Sequence, residues 1–281
     1  MGKADFQVTF WGVRGSRPVP GPYTLKYGGN TPCVQVQIGK RMLIMDAGTG
    51  ICGLGQHLLT SSQPVYGDVF ITHTHWDHIQ GFPFFSPAFK GTNCFILYGQ
   101  GKLDQTFADL MKRQMMFSYF PVSLDEMGAA INFYELSSGK VIDLKDDILV
   151  KTFPNNHPGG GLSYRIDHKG RSCCYITDYE HSYPIDTGLI NFVKGTDLLI
   201  YDSNFTDQEY AGHDPYSYNV GWGHSTWQEG IKLVKAAEAR KLVLFHHANF
   251  RTDDDIDRIE QDAQKQYTNL LAAREGMIIE L

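Results

Sequence analysis

The chain has 281 residues, of which 42% are hydrophobic and 20% charged, and carries a formal net charge of −6. That apolar content at this length can bury a core without disulfide or metal staples, and the acidic balance argues against broad non-specific nucleic-acid binding, which rests on basic surface. The five cysteines are scattered with no C-x-x-C, no signal-like segment opens the chain and no apolar run could span a bilayer, so reduced thiols, a cytoplasmic location and no membrane partner are expected.

Phe6-Gln7-Val8-Thr9-Phe10-Trp11 alternates as a strand does. The loop from Gly12 to Thr31 is long for a plain connection and carries Arg14, Arg17, Tyr23, Lys26, Tyr27 and Asn30, side chains suited to substrate contacts or an interface. Val34–Ile38 and Met42–Met45 read as a hairpin across Gly39-Lys40, ending in Asp46-Ala47-Gly48-Thr49-Gly50, where Asp46 is expected to support a site rather than ligate. Residues 51–60 read as a helix and Asp68-Val69-Phe70-Ile71 as a buried strand.

That strand runs into Thr72-His73-Thr74-His75-Trp76-Asp77-His78, with three histidines and an aspartate in six positions. In an extended backbone side chains at i and i+2 point the same way, so His73 and His75 can converge on one point and Asp77 and His78 on a second nearby. Imidazole and carboxylate suit zinc, manganese or iron.

Further on, Cys94–Tyr98 reads as a strand and Leu103 to about Met116 as a helix, with Met111, Met115 and Met116 as core. Phe117–Val122 breaks at Pro121 into an aromatic turn. Phe133, Val141–Leu144 and Ile148–Phe153 read as strands, and Leu162–Ile166 with Arg171–Thr177 as a hairpin turning at His168-Lys169-Gly170. His157 precedes Pro158 and three glycines, Asp178 ends an apolar strand, and Leu242-Val243-Leu244-Phe245 ends in the pair His246-His247, of which alternation lets only one face a site. Ser225 with Gln228 has the form of a capping box, and Trp227, Ile231 and Val234 mark a helix face, which puts His224 at a helix start, where amides favour an anion. Asp253-Asp254-Asp255 reads as the acidic first turn of a helix bearing Ile256, Ile259, Ala263 and Leu270. His57, His168, His181 and His213 read as surface or structural. No linker divides the chain, so one domain over residues 1–281 is expected.

The His73–His78 run resembles the signature of the metallo-β-lactamase superfamily. The resemblance implies a four-layer αββα sandwich, two mixed β-sheets flanked by helices. It also implies two divalent metal ions, zinc before manganese or iron. One would be held by His73, His75 and His157, the other by Asp77, His78, Asp178 and His246, with Asp178 bridging and His247 the competitor of His246. Gly223-His224-Ser225-Thr226 resembles the phosphodiesterase branch, which includes tRNA 3′-processing endonucleases and bacterial cyclic-nucleotide phosphodiesterases; there the matching histidine serves the scissile phosphate or the leaving oxygen. Phe10-Trp11-Gly12-Val13-Arg14-Gly15-Ser16, Gly28-Gly29-Asn30-Thr31 and Asp46–Gly50 resemble the cyclic-nucleotide members.

The expectation is thus a dinuclear phosphodiesterase converting 3′,5′-cyclic nucleotides to 5′-monophosphates by attack of a metal-bridging hydroxide. Asp77 and His224 are its catalytic residues; His224, Ser225, Thr226 and Asn30 lie at the substrate, and Trp11, Tyr119, Phe120 and Trp222 are candidates to stack on the base. The alternatives are a tRNase Z-like endoribonuclease or another small-phosphodiester hydrolase, a thioester or lactone hydrolase, and a metal-holding sensor without turnover. Two departures count against the nuclease: no Gly/Pro/basic arm is visible, and Asp202-Ser203-Asn204-Phe205 stands where the nuclease has His-Glu-Ala-Thr. A small phosphodiester rather than nucleic acid, and a second copy in a homodimer, are therefore the expected partners.

Overall fold

Alternating and continuous apolar runs divide the chain into β1 (Phe6–Gly12), β2 (Cys33–Ile38), β3 (Arg41–Met45), α1 (Gly50–Leu58), β4 (Tyr66–Phe70), α2 (Trp76–Ile79), β5 (Cys94–Gly99), α3 (Phe107–Arg113) and β6 (Ala130–Glu135). They continue as β7 (Val141–Asp143), β8 (Ile148–Pro154), β9 (Leu162–His168), β10 (Arg171–Ile176), α4 (Thr187–Val193), β11 (Leu198–Asp202) and α5 (Asp207–Ala211). The chain ends with α6 (Trp227–Ala236), β12 (Lys241–Phe245), α7 (Asp253–Gln266), β13 (Leu270–Ala272) and β14 (Ile278–Glu280). The computed structural model describes residues 5–212 and 219–281; His213 lies outside them.

Two compact units result. One takes the N-terminal residues to Pro18, Gly29–Ser137 and Arg274–Glu280; the other takes Val19–Gly28 and Ser138–Ala273. The first unit holds a sheet in the order β14-β1-β2-β3-β4-β5-β6. Its β14, β1, β2 and β3 pair antiparallel, and β1 alternates buried and half-buried as a two-faced strand should. From β3 to β6 the pairing is parallel, and β4 is buried almost throughout because parallel strands are covered on both faces. Ile51 and Leu54 of α1 share one core with Ile44, Val69, Phe85 and Phe95.

The second unit holds a sheet in the order β13-β12-β11-β10-β9-β8-β7. Here β7 to β10 are antiparallel and β10 to β13 parallel. One face carries Leu199, Tyr201 and Leu244 against Ile231 and Val234 of α6 and Leu189 of α4. Two mixed sheets flanked by helices are the architecture the expected fold class requires.

The structure corrects several element expectations. The helix expected from Leu103 starts only at Phe107, because Thr106 and Asp109 form a reciprocal cap there, and Leu103 stands in solvent. Met111 and Met115 are buried as expected, but Met116, past the helix end, is exposed. Leu270 belongs to β13, not to α7. The strands β11, β13 and β14 are additions to the sequence reading; β11, though an apolar run, carries no turn signal beyond Gly195 to announce it. All five cysteines are free thiols, and among the described residues no helix is long and apolar enough to cross a membrane.

Candidate metal centre

Parallel pairing gathers the first half of the site. β3 and β4 lie side by side and run the same way, so Asp46 and the Thr72–His78 loop emerge at the same edge of the sheet. Ligand sites of open α/β sheets form at such carboxyl ends. Backbone bonds stitch the two loops together: the Ala47 amide donates to the His78 carbonyl (2.8 Å) and the Gly81 amide to the Ala47 carbonyl (2.9 Å).

The buried Asp46 carboxylate organises this edge. It accepts from the Thr72 amide (2.8 Å), from the Thr72 hydroxyl (3.0 Å) and from His78 Nδ1 (2.8 Å). An ionised carboxylate only accepts, so His78 carries its proton on Nδ1 and keeps the Nε2 lone pair for a metal. The Thr72 hydroxyl, its proton given to Asp46, is placed to accept from His73 Nδ1 (3.1 Å), which leaves His73 in the same tautomer. The rings of His73 and His75 stand 4.4 Å apart, centre to centre, as do those of His73 and His78. Asp77 places Oδ2 at 3.3 Å from His78 Nε2 and accepts the Ser16 amide at 2.8 Å. Asp46 thus holds Thr72 and His78 in place.

The second unit repeats the device. β10, β11 and β12 are parallel neighbours, so Asp178, Asp202 and His246 leave the sheet together. Asp46, Asp178 and His246 all have positive φ, at 61°, 53° and 60°. A non-glycine residue in that region is held at a cost of order 1–3 kcal/mol, and such strain clusters at functional sites. Asp178 is steadied by Asn155, whose amide donates to the Thr177 and Asp178 carbonyls (2.7 and 3.2 Å). His246 Nε2 lies 3.2 Å from Asp178 Oδ2. His247 turns the other way, its Nε2 2.9 Å from the Ala273 carbonyl. His157 sets Nε2 at 3.8 Å from Asp178 Oδ1 and Nδ1 at 2.9 Å from the Gly223 carbonyl.

Asp202 is a site residue that motif reading passed over as a mere departure. It is fully buried, and its carboxylate accepts from the amides of Asp178 (2.9 Å), Asn204 (3.0 Å) and Ser225 (3.3 Å) and from His224 Nδ1 (2.9 Å). One ligand atom from each of Asp178, Asp202, His224 and His246 lies within 4.8 Å of all the others. Its only signal in the sequence is an acid ending an apolar run, which is common.

The remaining expectations fare unevenly. The helix after His224 is capped by Thr226, which accepts from the Glu229 amide (3.1 Å), not by Ser225. Ser225 and Thr226 are both buried: the Ser225 hydroxyl meets Tyr201 (2.9 Å) and His181 (3.1 Å), and the Thr226 hydroxyl donates to Asp207 (2.6 Å). The structure therefore assigns both to scaffolding. Trp11 donates to Gln35 (3.1 Å) and packs on His57, and Asn30 donates twice to Glu275 (2.7 and 3.0 Å), so neither is presented to a substrate in this arrangement. Tyr119 and Trp222 are exposed, and Phe120 packs edge-on against Phe84. His168 and His181 make structural contacts: His168 Nδ1 is 3.3 Å from the Asp147 carbonyl, and burial pushes the His181 imidazole below its ordinary pKa against the opposing pull of Glu229.

His73 and His78 are buried with Nδ1 engaged, His157 is half-buried and His75 exposed; set beside buried carboxylates, such imidazoles are the donor chemistry that divalent transition ions take. Comparison with known proteins agrees. A family model described as a beta-lactamase superfamily domain matches residues 41–247. A ribonuclease Z of Oceanobacillus iheyensis is 26% identical over 76% of this chain and 81% of its own length. That of Thermoplasma acidophilum is 23% identical over 99% and 97%. Among solved structures, the metallo-beta-lactamase fold protein YhfI from Bacillus subtilis matches with a TM-score of 0.71 at 20% identity, over 99% of this chain and 100% of its own. The relatives overturn the expectation that nucleic acid is an improbable partner. That expectation rested on the missing basic arm, on Asp202-Ser203-Asn204-Phe205 and on a net charge summed over the whole molecule, and none of these reports the charge at the site itself.

Proposed function

The chain belongs to the metallo-β-lactamase superfamily and is a metal-dependent phosphodiester hydrolase; on that premise we propose that its substrate is RNA, cut in the manner of ribonuclease Z, with the two units acting as one catalytic domain over residues 1–281. In this reading His73, His75 and His157 hold one divalent ion, and Asp77, His78, Asp178 and His246 hold a second, zinc before manganese or iron. Such ions acidify a water and neutralise phosphoryl charge. Asp46 and Thr72 orient the histidines of the first unit, and Asn155 orients Asp178 in the second.

The observation that carries the reading beyond fold likeness is the His224–Asp202 pair at 2.9 Å. Asp202 accepts from Nδ1, so His224 presents Nε2 and, once protonated, its imidazolium is stabilised by the buried carboxylate. A proton delivered from Nε2 to the departing sugar oxygen is the step that a phosphodiester with a poor leaving group needs. Residence in the cytoplasm goes with such a substrate.

The test is a side-by-side assay of metal-reconstituted protein on a precursor tRNA carrying a 3′ trailer and on 3′,5′-cyclic AMP and GMP. Release of the trailer, abolished by chelator and restored by zinc or manganese, is the expected result. Turnover of the cyclic nucleotides with intact precursor would overturn the RNA reading and restore the cyclic-nucleotide one.

A further inference from the structure

Glu180 follows Asp178 by two residues, is 8% exposed, and has no place in the metal chemistry above. Its Oε1 accepts from the Gly221 amide (2.6 Å) and the Tyr210 hydroxyl (2.6 Å), and its Oε2 from the Gly223 amide (2.8 Å). One carboxylate thus grips both glycines that flank Trp222. Gly223 then turns its carbonyl onto His157 Nδ1 at 2.9 Å. No other residue type fits there: φ is +83°, and a Cβ would stand 2.0 Å from His157 Nδ1 and 2.4 Å from Pro158 Cδ.

We propose that Glu180 is a positioning residue for His157: by holding the Gly221–Gly223 turn, it fixes the carbonyl that keeps the His157 proton on Nδ1 and the Nε2 lone pair aimed at the metal. The inference rests on the reading of His157 as a metal ligand. A carbonyl only accepts, so the nitrogen facing it carries the proton. Partners of this kind set the tautomer and orientation of ligating histidines, and their loss weakens metal affinity about 10–100-fold. What distinguishes the arrangement is that the partner carbonyl is itself in a glycine turn, with little intrinsic preference for one direction, and so needs the carboxylate behind it.

Glu180→Gln is the incisive variant. Its amide oxygen can still serve Gly221 and Tyr210, but its NH2 opposes the Gly223 N–H, donor to donor. Zinc titration against a chromophoric competitor is expected to show two tight equivalents in the wild type. In the variant one of them should weaken about 10–100-fold, with a changed cobalt(II) absorption spectrum and an unaltered far-UV circular dichroism spectrum. Two equivalents of unchanged affinity in a folded Glu180→Gln protein would overturn the inference; a wild type that takes up no zinc would instead sink the proposed function. A second measurement needs no variant: long-range 15N–1H spectra of the metal-free wild type, with His157 assigned by its loss in His157→Gln. These should show the Nδ1–H tautomer. The Nε2–H tautomer would refute the inference even if Glu180→Gln failed to fold.

Discussion

A histidine at a metal can be a ligand or a proton donor, and the proposed donor role of His224 rests on its neighbours. Its Nδ1 is held by Asp202, which also accepts from backbone amides and lies 3.7 Å from His246 Nδ1, so the carboxylate is fixed before any substrate arrives. His224→Ala is therefore expected to lower kcat by about 10²–10⁴ while leaving the zinc content, measured by elemental analysis, at the wild-type value. Loss of zinc along with activity would make His224 a ligand instead. Asp46→Asn tests the opposite role. It puts an amide where His78 and Thr72 need an acceptor, and should weaken metal binding about 10–100-fold in a competition titration. Thiols complete the residue scale. Burial raises Cys33, Cys173 and Cys174 above their ordinary values, Cys174 to about 12, so these three are expected to be inert to Ellman's reagent until the protein unfolds.

Among the elements, α7 shows how an acidic run that looks like a cation site is structural. Thr252 accepts from the Asp255 amide and Asp255 accepts in return, so the acids complement the helix start. Thr252→Ala is expected to cost about 1 kcal/mol in a denaturant melt. The Thr252 amide foremost, then its hydroxyl, hold the Asp255 carboxyl below its ordinary 3.8. A lowered folded value means the contribution is complete above pH 3.8 and lost as pH falls through the folded value. The variant should accordingly differ from wild type least at the acid end of the pH–stability profile. β1 supplies a steric counterpart. At the irregularity where it parts from β2, a Cβ on Gly12 would stand 1.9 Å from the Thr31 carbonyl oxygen, backbone that cannot rotate aside. Gly12→Ala should destabilise the protein by about 1–3 kcal/mol, read from the same melt.

For the whole molecule, metal and stability are linked. Of the proposed donors, Asp178 and His246 sit in left-handed backbone and Asp77 and Asp178 are buried carboxylates, which a bound cation would compensate. A ligand at about a thousandfold its Kd stabilises the native state by about 4 kcal/mol. Removing it with chelator should lower Tm by several degrees, and zinc should restore it; a melting curve indifferent to chelator would argue that no ion binds the folded state. The net charge of −6 remains a fact about solubility and long-range approach, and a poor guide to the substrate.

The sequence by itself determined the local chemistry: strand periods in β1, β4, β9 and β12, the hairpins, and His73 to His78, because a ligand motif contained in one strand end needs no long-range information. It also carried the superfamily, since that motif sits beside His157, Asp178, His246 and His224 in recognisable order. Tertiary structure alone decided what depends on pairing distant segments. The parallel register of β10, β11 and β12 made Asp202 a hub and set His246 beside Asp178, and the turn at Gly223 gave Glu180 something to hold. An acid at the end of an apolar run reads the same in sequence whether it caps a loop or orients a catalytic histidine; only its neighbours across the sheet distinguish the two.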